Sequence, residues 1–307
     1  TANGRQAIID LPASGYTWLP SSPGPAETAD ENAALADELL LRNEFFEVHI
    51  NPQTGGIERI KGYGRQPNVL SQQLAFRFPR ERTVPTGDDD DASQETSTWY
   101  SEMVGHGVEI LSAGPHVGEI RTHGEIIDQL SGTRIAGFRQ TFRTLRYRPS
   151  VEVEIELELD QLPEGDPWSN YLSARFAYGD ATAAITRSVL GSAQPAGNDR
   201  FESPYYVEIA NESNRVTLVA PGMPFYRKTG DRMVDAILVP EGEQRRKFSM
   251  AITVDQAYPM QEALDHLGLV RFAGKDIQRD QFIRICRRNV LVAIPCHRVP
   301  GFIPCPG

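Results

Sequence analysis

Over residues 293–301 the chain reads AIPCHRVPG, which sets a thiol, an imidazole and a guanidinium in a row at Cys296, His297 and Arg298. Neighbouring positive charge lowers a thiol's pKa and makes thiolate, so the chemistry on offer is a nucleophilic cysteine. A second candidate is VEVEIELELD, residues 151–160, where Glu152, Glu154, Glu156, Glu158 and Asp160 occupy every second position. Such a row can hold a metal or a basic ligand, or it can be the solvated face of a strand. A third is TGDDDDASQETST, residues 86–98, with four consecutive aspartates. Ordered calcium loops space their ligands and turn on glycine, so the expectation there is a solvated loop. The histidines, His49, His106, His116, His123, His266 and His297, are scattered. His116 and His123 are expected on different strands and do not make a zinc motif.

The totals narrow the classes. The 307 residues carry 41 acidic and 31 basic side chains, a formal charge of −10. An acidic chain argues against nucleic acid or an anionic membrane as the main partner, since both ask for a basic surface. No stretch approaches 18 consecutive apolar residues, so no membrane span is expected, and no charged start with an apolar run suggests a signal peptide. The three cysteines, Cys286, Cys296 and Cys305, fall together near one end and make no disulfide framework for the rest. The compartment stays open, with the cytoplasm slightly favoured.

The elements that must position any site are strands. In 151–160 Val151, Val153, Ile155, Leu157 and Leu159 alternate with the acids, which puts five apolar side chains on one face and five acids on the other. The preceding FRQTFRTLRYR supplies Arg139, Arg143, Arg146 and Arg148, so the two segments predict an antiparallel hairpin with opposite charges facing across it. Hairpin turns are expected at 51–56, 211–214 and 240–244. HGVEILSAGPHVGEIRTHGEIID offers two or three strands. NYLSARFAYG is another, with Leu172, Ala174, Phe176 and Tyr178 sharing a face. A strand is expected at 6–11, and GSAQPAGNDRFESP, 191–204, reads as a long loop. One or two short helices are expected, at 33–41 behind the Thr28/Glu31 capping pattern, and at 261–267. Strands at this density predict an all-β sandwich of large size.

Three stretches, in order, resemble the C-terminal β-domain of family 38 glycoside hydrolases, the retaining α-mannosidases. They are NEFFEVHINPQTGGIERI with RQPNVLSQQLAFRF, then PWSNYLSARFAYGD, then GMPFYRKTGDRMVDAILVPEGEQRRKFSMAITVD. The likeness covers residues 40–265. It implies a large antiparallel two-sheet supersandwich of the galactose mutarotase-like type. It also implies that the zinc and the aspartate nucleophile belong to an N-terminal α/β domain outside these residues. No catalytic residue, metal ligand or cofactor is therefore assigned here; zinc is expected only with that catalytic domain. In the family this domain lends side chains to the rim of the cleft. The matching loop, FYRKTGDRMVD, offers Arg227, Lys228, Asp231, Arg232 and Asp235, a mixture of planar donors and acceptors that suits sugar hydroxyls or an internal ion-pair cluster. Trp168, Tyr171 and Arg175 form a second candidate set, as a stacking surface for a sugar ring or as packing.

IPCHRV also resembles the active-site motif of the O6-alkylguanine alkyltransferases. Those proteins enter DNA with a helix-turn-helix, and here β-strands and an acidic chain surround the motif. Cys296 is read instead as a free thiol in a basic tail, where Arg271, Lys275, Arg279, Arg284, Arg287, Arg288 and Arg298 face only Asp276 and Asp280. The expected organisation is an N-terminal strand and linker over 1–30, the supersandwich over 31–270 and a divergent tail over 271–307. The expected function is the carbohydrate-associated β-sandwich of an α-mannosidase-like hydrolase, inactive alone. Its partners would be mannosides and a catalytic α/β domain or a second copy. The alternative is an autonomous carbohydrate-binding protein; a mutarotase-like epimerase is the outsider.

Overall fold

The computed structural model describes residues 4–9, 34–63, 69–85, 95–256, 259–267 and 290–295. In chain order the strands begin with β1 (Gly4–Ile9), β2 (Ala36–Asp37), β3 (Leu40–Arg42), β4 (Phe46–Ile50), β5 (Ile57–Gly62), β6 (Leu70–Pro85) and β7 (Glu95–Tyr100). They continue with β8 (Glu102–Ala113), β9 (Val117–Ile127), β10 (Arg134–Leu145), β11 (Ser150–Leu159), β12 (Tyr171–Tyr178), β13 (Ala184–Val189) and β14 (Ser192–Pro195). The remainder are β15 (Arg200–Glu202), β16 (Tyr206–Ala210), β17 (Arg215–Val219), β18 (Phe225–Lys228), β19 (Met233–Val239), β20 (Lys247–Val254) and β21 (Val290–Pro295). One helix, α1 (Pro259–Leu267), is present among the described residues. That helix is not long and apolar enough to cross a membrane.

The chain divides into two compact units. In the unit made of Thr1–Glu27 and Leu264–Gly307, β1 pairs antiparallel with β21, from Gly4 opposite Pro295 to Ile9 opposite Val290. The unit Thr28–Ala263 is a two-sheet antiparallel sandwich. A nine-stranded sheet runs β14-β13-β16-β17-β20-β11-β10-β9-β8. A ten-stranded sheet runs β15-β18-β19-β12-β6-β5-β4-β3-β2, with β7 added beside β6. The fold is thus all-β, as the alternation in the sequence predicts.

The alternation decides which face is buried. On β11, Val151, Val153 and Ile155 are wholly buried, while its glutamates face outward to arginines of β10. Arg139 stands opposite Glu156 at 3.0 Å and Arg143 opposite Glu152 at 3.2 Å. Arg134 reaches Glu158 at 3.1 Å, and Lys247 of β20 reaches Glu156 at 2.7 Å. These acids are paired with cations, so the row is a charge-matched sheet face. Leu172, Ala174, Phe176 and Tyr178 of β12 lie in the core, the face expected of them.

A polar clasp crosses the core. The 51–56 turn of the ten-stranded sheet reaches the other sheet, where the Gly55 carbonyl accepts from Thr122 Oγ1 at 2.7 Å and from Gln140 Nε2 at 3.2 Å. Gln72 Nε2 donates to Gln140 Oε1 at 2.9 Å. Gly55 has φ of +77°, a conformation that glycine adopts without a Cβ penalty.

Several local expectations are corrected. No helix forms over 34–42; the segment makes β2 and β3, because Leu35, Ala36 and Leu41 are buried and Leu41 pairs with Val48. Burial of that edge outweighs the helix propensity of its alanines and leucines. The turn at 240–244 does not close a hairpin. β19 pairs with β12 and β18 while β20 pairs with β11 and β17, so this connection crosses between the sheets. The 191–204 stretch is not one loop, since it holds β14 and β15, each at an edge of a different sheet. The end of the acidic stretch is β7; its aspartates lie outside the described residues, as does the Thr28/Glu31 pattern. The helix expected at 261–267 is found as α1, whose buried Glu262 meets buried Arg148 at 3.5 Å.

Candidate functional site

A polar row crosses the outer face of the ten-stranded sheet. Residues directly opposite on antiparallel strands share a face. Arg200 (β15) is opposite Arg227 (β18), Arg227 opposite Asp235 (β19), Asp235 opposite Arg175 (β12), and Arg175 opposite Gln73 (β6). Their chain neighbours Phe201, Tyr226, Val234, Ala236, Ala174, Phe176 and Leu74 belong to the core. Strand periodicity therefore drives one face of these five strands into the sandwich and assembles four charged side chains on the other.

Asp235 is the hub. It is fully buried, and its carboxylate is filled by three donors. Oδ2 accepts from Tyr100 Oη and Tyr171 Oη, both at 2.7 Å, and Oδ1 accepts from Arg175 Nε at 3.0 Å. The Arg175 guanidinium also lies over the Tyr100 ring, 3.4 Å from its centroid. The two tyrosines start two rungs away on this face, with Tyr100 and Tyr171 flanking Arg77 on either side. The intervening rung on this face is Ala75, Ser173 and Ile237. Burial, then the adjacent Asp235 carboxylate, pushes both phenols above the ordinary tyrosine range, so they stay protonated as donors.

Arginines order the surrounding backbone. Arg77 donates from Nη1 to the Ser169 carbonyl at 2.6 Å and to the Phe78 carbonyl at 3.1 Å, and its guanidinium lies 4.5 Å from the centroid of the Trp99 ring. Arg227 donates to the Trp168 carbonyl. Trp168 meets Phe225 edge-on, with centroids 5.7 Å apart and planes at 84°. The loop before β12 is thereby held from below by two arginines and carries an indole beside the half-exposed Phe225.

The eight expected site residues fall in three places. Trp168, Tyr171, Arg175, Arg227 and Asp235 come together on the outer face. Lys228 points the other way from Arg227 on the same strand and donates to the Ala196 carbonyl at 2.9 Å. Asp231 and Arg232 sit in the turn between β18 and β19. There the Asp231 carbonyl accepts from Tyr178 Oη at 3.1 Å, and Arg232 donates to the Gly179 carbonyl at 3.4 Å. Arg232 lines a cleft of ≈ 740 Å³ with Tyr178, Asp180, Asn211 and Asn214, away from the row. The Asp180 carboxyl, filled by the Thr182 hydroxyl, the Thr182 N–H and the Asn211 amide, is held below the usual carboxylate range.

Arg77, Trp99, Tyr100 and Arg200 were not anticipated. Arg77 sits in LAFRF at the same parity as Gln73 and Ala75, a signal that strand periodicity carries. Trp99 and Tyr100 follow a polar, acidic stretch that masks their role, and Arg200 falls in a segment without periodicity.

Chemically, this face presents guanidinium donors and aromatic rings around a carboxylate that is already occupied. Asp235 spends its lone pairs on three donors, and the phenols beside it hold their protons. Among the described residues no three of His, Cys, Asp or Glu gather to hold a metal ion. Cys286, Cys296, Cys305 and His297 lie outside the described residues.

Fold and face together define the class: a large two-sheet antiparallel supersandwich that carries a polar and aromatic row on one outer face. No family model matches the chain, and no curated protein matches it. Solved structures do share the fold. An alpha-mannosidase from Enterococcus faecalis V583 superposes with a TM-score of 0.55 at 11% identity, over 76% of this chain and 31% of that one. A glycosyl hydrolase family 38 protein from Enterococcus faecalis gives 0.54 at 13% identity, over 77% and 32% of the two chains. This chain thus spans about a third of the length of those enzymes. At such identities the likeness is one of fold.

Proposed function

We propose that this chain is the C-terminal β-sandwich portion of an α-mannosidase-like glycoside hydrolase, and that its outer-face row contacts mannosides. The observation that carries this reading is the row Arg200–Arg227–Asp235–Arg175 with Trp168 and Phe225 at its side. Planar guanidinium donors beside aromatic rings match the hydroxyl edge and the apolar face of a pyranose. The fold shared with alpha-mannosidases supports the choice of mannosides as the sugar. In this reading the zinc and the nucleophile come from a catalytic α/β domain. The sandwich supplies Arg77 and Arg227, which hold the loop at Trp168 in place.

Autonomous glycan binding is the second reading, favoured by the exposure of Phe225 and Arg200 in the sandwich itself. Titration of the 307-residue chain with mannose and α-linked mannobiose, followed by backbone amide shifts, separates the two. Saturable shifts confined to 168–178 and 225–235 are the result expected of a site that works alone. Flat spectra up to tens of millimolar sugar would leave the row as a cleft wall that needs its catalytic domain. Saturable shifts at Asp180, Asn211 and Asn214 alone would move the site to the cleft and overturn the assignment of the row.

A further inference from the structure

Within the row, Arg200 and Arg227 stand directly opposite each other on neighbouring strands. Like charges in that position are destabilising by themselves. The carboxylate beside them is Asp166, 3.8 Å from Arg200. It is already engaged, by Ser169 Oγ at 2.6 Å and by the Trp168 backbone N–H at 3.1 Å. The Ser169 hydrogen bond, then that of the Trp168 N–H, holds Asp166 below the usual carboxylate range, so it stays charged without being free. Arg227 Nε is buried and has no hydrogen-bond partner. Half-exposed Phe225 and the Trp168 ring border the pair. Two residues along β15, the exposed Glu202 faces Phe225 across the ladder and makes no ion pair among the described residues.

We infer that Arg200 and Arg227 form a subsite for an anionic substituent, a carboxylate or a phosphate, on a saccharide whose ring rests against Trp168 and Phe225. This rests on the reading of the row as a sugar-contacting face and specifies the sugar's charge. The two guanidiniums supply planar donors that fit both anions. Glu202 repels negative charge from the Phe225 side, so the anion is directed to the arginine end and the neutral ring to the aromatic end. Asp235 and Arg175 neutralise each other one strand away and take no part in the charge selection.

The test is a calorimetric titration of the full chain at low ionic strength with mannose, glucuronate, mannose 6-phosphate and inorganic phosphate. At least one of the two anionic sugars is expected to bind about tenfold tighter than mannose, a preference that shrinks with added salt. Which of the two it is tells carboxylate from phosphate. Arg200→Gln, at a half-exposed side chain, is expected to weaken the anionic sugar about tenfold more than mannose and so remove the preference. Glu202→Gln is expected to strengthen binding of the anionic sugar and not that of mannose. Equal affinities for neutral and acidic sugars would overturn the inference and leave the mannoside reading standing. So would a preference that survives Arg200→Gln. Inorganic phosphate binding as tightly as the acidic sugar would overturn the saccharide part. Absence of binding by every ligand would overturn both the inference and the autonomous form of the binding reading.

Discussion

At the scale of single residues the decisive group is Asp235. A fully buried carboxylate survives only because two phenols and a guanidinium fill it, and each of those depends on it in return. Asp235→Ala is expected to cost about 3–5 kcal/mol in urea unfolding, since it strands the Arg175 charge with little water. The Arg175 side chain is 15% exposed, which keeps this out of the range of surface ion pairs. A loss under about 1 kcal/mol would mean that the brace is incidental to stability. Residue type marks Asp235, Arg175 and Tyr171 as candidates, but nothing local in the sequence makes them touch. Their spacing of 60 and 64 positions is bridged only by strand pairing.

At the scale of elements, β10 and β11 show how far local pattern reaches. Alternation alone gave their hairpin, their faces and their charge pairing, because a strand's two-residue period repeats without outside help. The 34–42 segment shows the opposite. Its composition favours a helix, and pairing of Leu41 with Val48 makes it a strand. Glycines set the remaining approach distances between β8 and β9. Gly124 is opposite Gly105, and a Cβ on Gly124 would meet the Val104 carbonyl oxygen at 2.0 Å. That obstacle is backbone and cannot rotate away. Gly124→Ala is therefore expected to destabilise by about 1–3 kcal/mol or more in chemical denaturation. A neutral outcome would show that β8, an edge strand, moves freely enough to absorb a methyl group.

At the scale of the whole molecule, a supersandwich offers a wide rigid face on which distant strands can place side chains. In the proposed reading the same rigid face supports a separate catalytic centre. The carboxylate on the row is fully committed, and a retaining glycosidase needs two free carboxyl groups about 5 Å apart. Purified chain is accordingly expected not to turn over aryl α-mannosides, with or without added zinc, as followed by release of the aryl chromophore. Turnover that scales with protein and disappears on substitution of one carboxylate would refute the half-enzyme reading.

Much of this was legible in the sequence, and the division has a physical cause. Strand identity, face and the all-β class follow from side-chain alternation, which is local and needs only neighbours along the chain. The family-like order of three stretches pointed to the same two-sheet fold. Which strand lies beside which is set by long-range pairing and by burial of whole faces, and no local pattern encodes it. Hence the 240–244 turn reads as a hairpin although β19 and β20 lie in different sheets, and Lys228 reads with Arg227 although alternation turns them apart. The row itself exists because β15, β18, β19, β12 and β6 become neighbours only in the folded sheet, which brings Arg200, Arg227, Asp235, Arg175 and Gln73 into one line.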